Sequence, residues 1–284
     1  MNSVITNNQP TIEDVKNFWN TYPLFSQESK FKPATKEFFQ EHEKVVLEDY
    51  FAGVFKDELF FPANLSKDAR ILDLGCGIGF WTIEFLKRGY KNLYAADLAQ
   101  SSLEITKKHL EIYNLKADLS IQNAENTTFK NDFFDHVNCQ GVIHHTPDTQ
   151  ACIGEIARIL KKGGTACISV YYRNIFLKIW PILSIVGPVL CKLGFGLKGI
   201  GRESIFLERN PDKIIKLFDG ENNPIGKSYT KSTLFNMARP YFSVQKIYLS
   251  LFPSRALPFG LPRLLHSFLS KHYGFMIHLN LVKK

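Results

Sequence analysis

The chain has little cysteine, and none of it is paired in spacing. Cys76, Cys139, Cys152, Cys167 and Cys191 stand apart with no CxxC among them. That excludes a disulfide scaffold, argues against a structural zinc or other metal site, and leaves buried, reduced thiols of a cytoplasmic protein as the economical reading. Long hydrophobic runs are also missing. The longest, IWPILSIVGPVLC from Ile179 to Cys191, is too short to span a bilayer and is broken by Pro181, Gly187 and Pro188. The opening MNSVITNNQPTIEDV has no basic stretch leading into an apolar one, so no secretory leader is expected. Repeats and low-complexity segments are absent from the sequence.

Acidic residues are lacking after Glu221. Residues 1–171 hold 18 Lys and Arg against 22 Asp and Glu, net −4, whereas residues 172–284 hold 17 against 5, net +12. A basic half rich in Leu, Phe and Pro points to a surface or pocket that meets anions: lipid headgroups, a phosphorylated or carboxylated small molecule, or nucleic acid. A merely soluble basic face is the plainer alternative.

What is present is a hydrophobic fraction of 45% over 284 residues, enough for one large domain with an elaboration. Residues 11–60 read as helices, with Thr11 as a candidate N-cap and Pro33 near the start of the second. From Ala69 the pattern alternates. Strands are expected at RILDLGC, NLYAADL, ADLSIQN, DHVNCQGVI and TACISVYY, and helices at FWTIEFLKRG, SSLEITKKHLEIYN and TQACIGEIARILKK, the last closed by Gly163-Gly164 as a C-cap. Alternation of this kind means βαβ units and a parallel sheet. After Tyr172 it lapses for about 70 residues, longer than ordinary connections. SVQKIYLSLF and GFMIHLNLVKK then offer two more strands, with a helical LPRLLHSFLSKHYG before the second. The expected fold is α/β, a Rossmann-like seven-stranded, mostly parallel sheet with helices on both faces. Its parts are an N-terminal helical cap (1–68), a cofactor-binding core (69–172), a substrate-binding insert or lid after the fifth strand (173–240) and the last two strands of the sheet (241–284).

The first strand runs into Gly75-Cys76-Gly77-Ile78-Gly79. Glycine there permits a tight turn and lets the backbone approach a ligand. Asp97 ends the second strand, where a carboxylate can accept from both hydroxyls of a ribose; its plainer role is to cap the helix beginning near Ser101. The spacing alone leaves NAD and S-adenosylmethionine open. The pattern is GxGxG rather than the dinucleotide GxGxxG, and Asp73 beside it would oppose a pyrophosphate while favouring a sulfonium or ammonium.

With ILDLGCGIGF, Asp97, QNAENTTFKNDFFDHV, GVIHHTPD and EIARILKKGG in this order over residues 69–172, the chain resembles the class I S-adenosylmethionine-dependent methyltransferases. The likeness is to the subgroup that includes the ubiquinone/menaquinone C-methyltransferases and many small-molecule methyltransferases. The resemblance implies S-adenosylmethionine as cofactor and S-adenosylhomocysteine as product. It places Asp73, Gly75 and Gly77 at the methionine portion, Asp97 at the ribose with Leu98 and Gln140 completing the set, and Asn123 and Ala124 beside the adenine. The family commonly has Asp where Asn123 stands, but the amide carbonyl can accept the same hydrogen bond.

Methyl transfer needs alignment, and a base only where the acceptor loses a proton. His144 and His145 are the candidate bases. Adjacent residues at a strand end point to different sides, so one of them, with His145 preferred, is expected to face the acceptor. The recurrence of HH across the resembling family favours a role in site architecture instead. In related methyltransferases an N-terminal helical segment covers the cofactor. Tyr22, in the cluster Phe18, Trp19, Tyr22 and Phe25, would then close over the sulfonium, unless the cluster is plain packing. Tyr171, Tyr172 and Arg173 end the fifth strand and so face the pocket rim, and Tyr172 and Arg173, with Asn222, Lys227 and Tyr229 in DGENNPIGKSYT, are the candidates for orienting an acceptor.

The expected activity is methylation of oxygen or carbon on a small, lipophilic or anionic acceptor. A nucleic-acid methyltransferase using the basic half is the alternative, against which GVIHHTPD lacks a Pro-Pro-aromatic signature and no separate recognition domain is visible. A non-catalytic S-adenosylmethionine-binding protein is a further one. Residues 175–200, with Lys178, Lys192 and Lys198, and residues 255–274, with Arg263 and Lys271, are candidates for peripheral membrane contact by a cytoplasmic protein. Packing on the sheet and a homodimer contact are the competing readings of both segments.

Overall fold

Thr11 opens the first helix, its hydroxyl accepting from the Asp14 N–H while the Asp14 carboxylate accepts from the Thr11 N–H. The computed structural model describes residues 9–53, 55–197, 202 and 205–284. Helix α1 (Ile12–Thr21) turns Val15 and Phe18 inward, and α2 (Lys36–Val45), capped by the Thr35 side chain, buries Phe38, Phe39 and His42. Phe39 stacks on His109 with ring centroids 3.7 Å apart, fastening the cap to the core. Each fully buried phenylalanine contributes about 1.5–3 kcal/mol. A short α3 (Asp57–Phe60) follows.

The core strands are β1 (Arg70–Leu74), β2 (Asn92–Asp97), β3 (Asp118–Ile121), β4 (Phe134–Gln140) and β5 (Leu160–Tyr172), then β6 (Ser228–Tyr229), β7 (Phe242–Ser250) and β8 (Met276–Lys283). They form one sheet in the order β3-β2-β1-β4-β5-β8-β7, with β6 joining β5 off this path. β1 to β6 pair in parallel, while β8 lies antiparallel to both β5 and β7. The mostly parallel sheet expected from the sequence is therefore present, with the two-residue β6 added. Ile71, Leu72, Ala95, Ala96, Val137 and Cys139 are all buried. Helices α4 (Phe80–Lys87), α5 (Gln100–Tyr113) and α6 (Thr149–Ile159) connect the central strands. β1 and β4 are neighbours whose connections lead away in opposite directions, so the loops after them open a crevice at the carboxyl ends of the strands.

Gly163-Gly164 do not cap a helix. α6 ends at Ile159, and β5 begins at once with Leu160 opposite Phe134. The register shifts between that pair and His136–Thr165, and Gly163, at φ 74°, lies in the resulting bulge. The Lys161 ammonium on Asp135 holds the early part of the strand in place.

The insert after β5 contains α7 (Ile175–Lys178), α8 (Trp180–Leu183), α9 (Gly187–Lys192) and α10 (Pro211–Leu217). The next helix, α11 (Lys231–Ala238), buries Leu234 and Ala238 in the main core and belongs with the sheet, although it falls inside the 173–240 segment. α12 (Arg263–Tyr273) precedes β8. Among the described residues, no helix is long and apolar enough to cross a membrane.

Candidate active site

The glycine loop is built by β1 and anchored on β2. The Gly75 and Cys76 N–H groups both donate to the Ala96 carbonyl, at 2.7 and 2.9 Å. Gly75 has φ 75°, and a Cβ there would lie 2.2 Å from a Val142 methyl. Both its conformation and its closeness to the β4 loop therefore demand glycine. Asp97 accepts from the Gly77 N–H through one carboxylate oxygen and from the Ala99 N–H through the other, each at 2.9 Å. Burial raises its pKa while those N–H groups pull it down.

A cavity of about 120 Å³ opens beside this carboxylate, walled by Gly75, Gly77, Leu98, Asn123, Ala124 and Gln140 among others. S-adenosylmethionine fits what is there. Asp97 is fixed by two backbone donors and keeps lone pairs for a diol, and the glycines leave backbone rather than side chain against the ligand. Asn123 bonds its amide oxygen to the Glu125 N–H at 3.0 Å, which shapes the turn and leaves it at the cavity wall. Gln140 is held by donation from its amide to the Cys167 carbonyl at 2.9 Å.

Asp73 stands differently from the placement implied by the resemblance. It is buried below the loop, where its carboxylate accepts from the Thr82 hydroxyl at 2.6 Å and from the Asn138 amide at 2.9 Å, and it lines neither cavity. Burial pushes its pKa up to about 6 from 3.8. A carboxyl raised in the fold contributes stability that is fully present below pH 4 and is lost as pH rises through 6. Asp73→Asn is therefore expected to gain about 3 kcal/mol on the wild type between pH 4 and pH 7.5, read from urea unfolding across that range. A difference that does not change with pH would sink this reading.

A second cavity, of about 240 Å³, lies against the first. Trp19, Leu24, Gly75, Gly77, Gln140, Gly141 and His145 wall both. Away from this shared wall its lining is strongly aromatic, with Phe25, Tyr50, Phe51, Phe80, Trp81, Tyr171 and Phe218. At one end Arg255 pairs with Asp49 at 2.8 Å and with Glu28 at 3.1 Å, and Arg202 pairs with Glu28 at 3.2 Å.

Both histidines face this cavity, contrary to the expectation that they diverge. The chain leaves β4 at Gly141, with φ 75°, and Ile143–His145 form a 3₁₀ turn, so strand alternation no longer applies. Their rings are 4.1 Å apart, and His145 also meets Trp19 edge-on at 5.3 Å. His145 Nδ1 lies 2.7 Å from the Ile225 carbonyl, which only accepts, so Nδ1 carries a proton; Nε2 is 3.4 Å from Asp219. Both its nitrogens are thus engaged by the protein. His144 is the opposite case: it is buried, and neither ring nitrogen has a hydrogen-bond partner. Burial holds its pKa well below the usual histidine value, so the imidazole is neutral.

Other expected residues lie elsewhere. Tyr22 ends α1 against Phe18 and lines neither cavity; Trp19, one helical turn earlier, takes the wall position. On β5, Tyr171 points into the larger cavity and Tyr172 packs on the core at the opposite face. Arg173 bonds Ser228 and pairs with Asp212. Asn222 is exposed. Lys227 donates to the Thr146 and Pro147 carbonyls, and the Tyr229 hydroxyl donates to Thr149 at 2.7 Å, so both brace the loop after β4 from outside. The insert contributes Asp219 instead, which accepts from the Tyr171 hydroxyl at 3.0 Å and receives an Asn223 amide at 3.5 Å. Strand alternation along β5 is the signal that separates Tyr171 from Tyr172. Nothing local in the sequence marked Asp219.

The glycine-loop crevice and the carboxylate at the end of β2 define a nucleoside-binding α/β domain, with an aromatic-lined cavity adjoining it. Residues 72–168 match the methyltransferase domain family, and the chain carries a class I S-adenosylmethionine-dependent methyltransferase domain. It is 29% identical over 117 residues to a ubiquinone biosynthesis O-methyltransferase of Coxiella burnetii, covering 41% of this chain and 50% of that one. To the protein of that name from Xanthomonas campestris it is 33% identical over 107 residues, covering 37% and 44%. The chain thus spans half or less of the length of these curated relatives. An S-adenosylmethionine-dependent methyltransferase of Methanosarcina mazei superposes with a TM-score of 0.53 at 19% identity, covering 78% of this chain and 94% of that one. The [4+2]-cyclase SpnF superposes at 0.54 with 13% identity, covering 97% of both. These likenesses show the fold, which serves more than one reaction.

Proposed function

We propose that the protein uses S-adenosylmethionine to methylate a hydroxyl oxygen on a small, lipophilic, ring-bearing acceptor, releasing S-adenosylhomocysteine. The observation that carries this is the wall shared by the two cavities, where Gly75, Gly77 and Gly141 let donor and acceptor meet with little side chain between them. When bound, the cofactor supplies a methyl group already activated as a sulfonium. The protein aligns the acceptor with it and excludes water. Trp19 and Leu24 cover the junction from the N-terminal cap. Aromatic rings line the acceptor chamber, and its arginines are engaged by Glu28 and Asp49, which favours a neutral, apolar acceptor over an anionic one. His144, whose ring nitrogens have no partner in the protein, would take the hydroxyl proton, while His145, tied through Nδ1 to the Ile225 carbonyl, keeps the turn beside Asp219 in place. The named activity of the curated relatives, O-methylation, supports oxygen as the methylated atom.

The test is incubation with methyl-labelled S-adenosylmethionine and a host-cell extract, fractionated into lipid, polar small-molecule, protein and nucleic-acid pools. Label in the lipid or small-molecule pool is expected; label in nucleic acid would overturn the reading. His144→Gln should lower the labelling rate about 100-fold while leaving S-adenosylhomocysteine affinity almost unchanged. An undiminished rate would remove His144 as the proton acceptor.

A further inference from the structure

The insert and the segment before β8 carry large apolar side chains that nothing among the described residues covers. Ile182, Ile185, Val189 and Leu193 are exposed on α8, α9 and the turn between and after them, Ile185 to 73%. Phe259, Leu264 and Phe268 are exposed on and before α12, Leu264 to 87%. The two groups are joined. The Gly196 N–H donates to the Ala256 carbonyl at 2.9 Å, Phe195 meets Phe259 at 6.1 Å, and Phe176 meets Tyr273 at 5.7 Å. Exposed apolar surface of this extent, drawn from two packed segments, marks an interaction site.

Charge says what it meets. Lys178 and Lys192 flank the first group and Lys271 the second, all three exposed. The sequence has no Asp or Glu in residues 172–202 or after Glu221. A self-complementary contact between two copies would bring these lysines towards their own kind, whereas an anionic bilayer accepts the lysines and the apolar side chains together. The face also adjoins the acceptor chamber: Leu197, just past α9, and Leu251 and Pro253, just before Phe259, line that cavity.

We propose that this face docks on an anionic lipid bilayer, lying in the interface without crossing it, and that the acceptor chamber is loaded from that side. Lys198, at the edge of the segment expected to make such a contact, lies outside the described residues.

The test is co-sedimentation of the full-length protein with phosphatidylcholine vesicles, with and without phosphatidylglycerol, alongside light scattering for oligomeric state. The wild type is expected to partition onto the phosphatidylglycerol vesicles, less so at high salt. Ile185→Glu/Leu264→Glu should lose about tenfold or more of that binding. Because both side chains are exposed, thermal unfolding and stabilisation by S-adenosylhomocysteine should not change in the double variant. Lys192→Glu/Lys271→Glu should weaken binding to the anionic vesicles. Absence of partitioning onto either vesicle overturns the proposal. So does a wild-type dimer that the apolar double variant converts to monomer without any vesicle binding, which would make the face a contact between copies.

Discussion

Asp97→Ala should weaken S-adenosylhomocysteine binding about 1,000-fold. A carboxylate that accepts from two ribose hydroxyls makes two charge-assisted hydrogen bonds, together about 4 kcal/mol in this setting. The same carboxylate holds the Gly77 and Ala99 N–H groups, so part of the loss comes from loosening the loop. Asp97→Asn separates the two effects, since it retains one acceptor oxygen and should lose less than the alanine variant. Calorimetric titration gives the affinities, and thermal unfolding without ligand reports on the loop. NAD should stabilise none of the three forms. Affinity for S-adenosylhomocysteine unchanged in Asp97→Ala would mean the nucleoside sits elsewhere.

Gly75→Ala should cost about 3 kcal/mol of stability, of which roughly half is the left-handed backbone and the rest the collision with Val142. On a chain of this size that lowers Tm by about 5–10 °C. The collision is separable: adding Val142→Ala should return the steric share and leave the backbone share. Because Gly75 lines both cavities, the single variant should also lose most of its stabilisation by S-adenosylhomocysteine. A Gly75→Ala protein as stable as the wild type, with ligand stabilisation intact, would contradict the tight approach of the two loops.

The parts of the site written in contiguous residues are legible in the sequence alone. Gly75, Gly77 and Asp97 belong to one βαβ unit, and the geometry that joins them depends on strand, turn and strand in sequence. Thr11 as a cap is legible for the same reason, since its partner Asp14 is three residues away. Three kinds of error appear where locality fails. A phase error puts Tyr172 at the pocket together with Tyr171, whereas a one-residue step along β5 exchanges the sheet faces and leaves Tyr171 alone of the two in the chamber. A turn error split His144 from His145, since the 3₁₀ turn after Gly141 abolishes alternation. Gly163-Gly164 is the third kind: a glycine pair after a helical run reads as a cap, yet the pairing of Leu160 with Phe134 turns it into a bulge.

The chamber's polar end was out of reach for a different reason. Glu28, Asp49, Arg202 and Arg255 come from the cap, the insert and the segment before α12, and the Arg255–Glu28 bond spans 227 residues. Asp219 reaches His145 only because the insert folds back over the loop after β4, which no periodicity announces. The strongly basic C-terminal half points, from sequence, to an anionic partner or to a merely soluble basic face. Among the described residues, Arg202 and Arg255 are the basic side chains of that half that line the chamber, and both are paired with carboxylates there.

The central claim is that donor and acceptor occupy adjoining cavities and meet at one wall. A crystal structure with S-adenosylhomocysteine tests it most directly. The ribose diol is expected on Asp97, the adenine beside Asn123 and Ala124, the thioether sulfur at the wall of Gly75, Gln140 and Gly141, and the aromatic end of the larger cavity left open for an acceptor. A ligand that fills the aromatic end, or whose sulfur points away from it, would contradict a donor and an acceptor meeting at this wall.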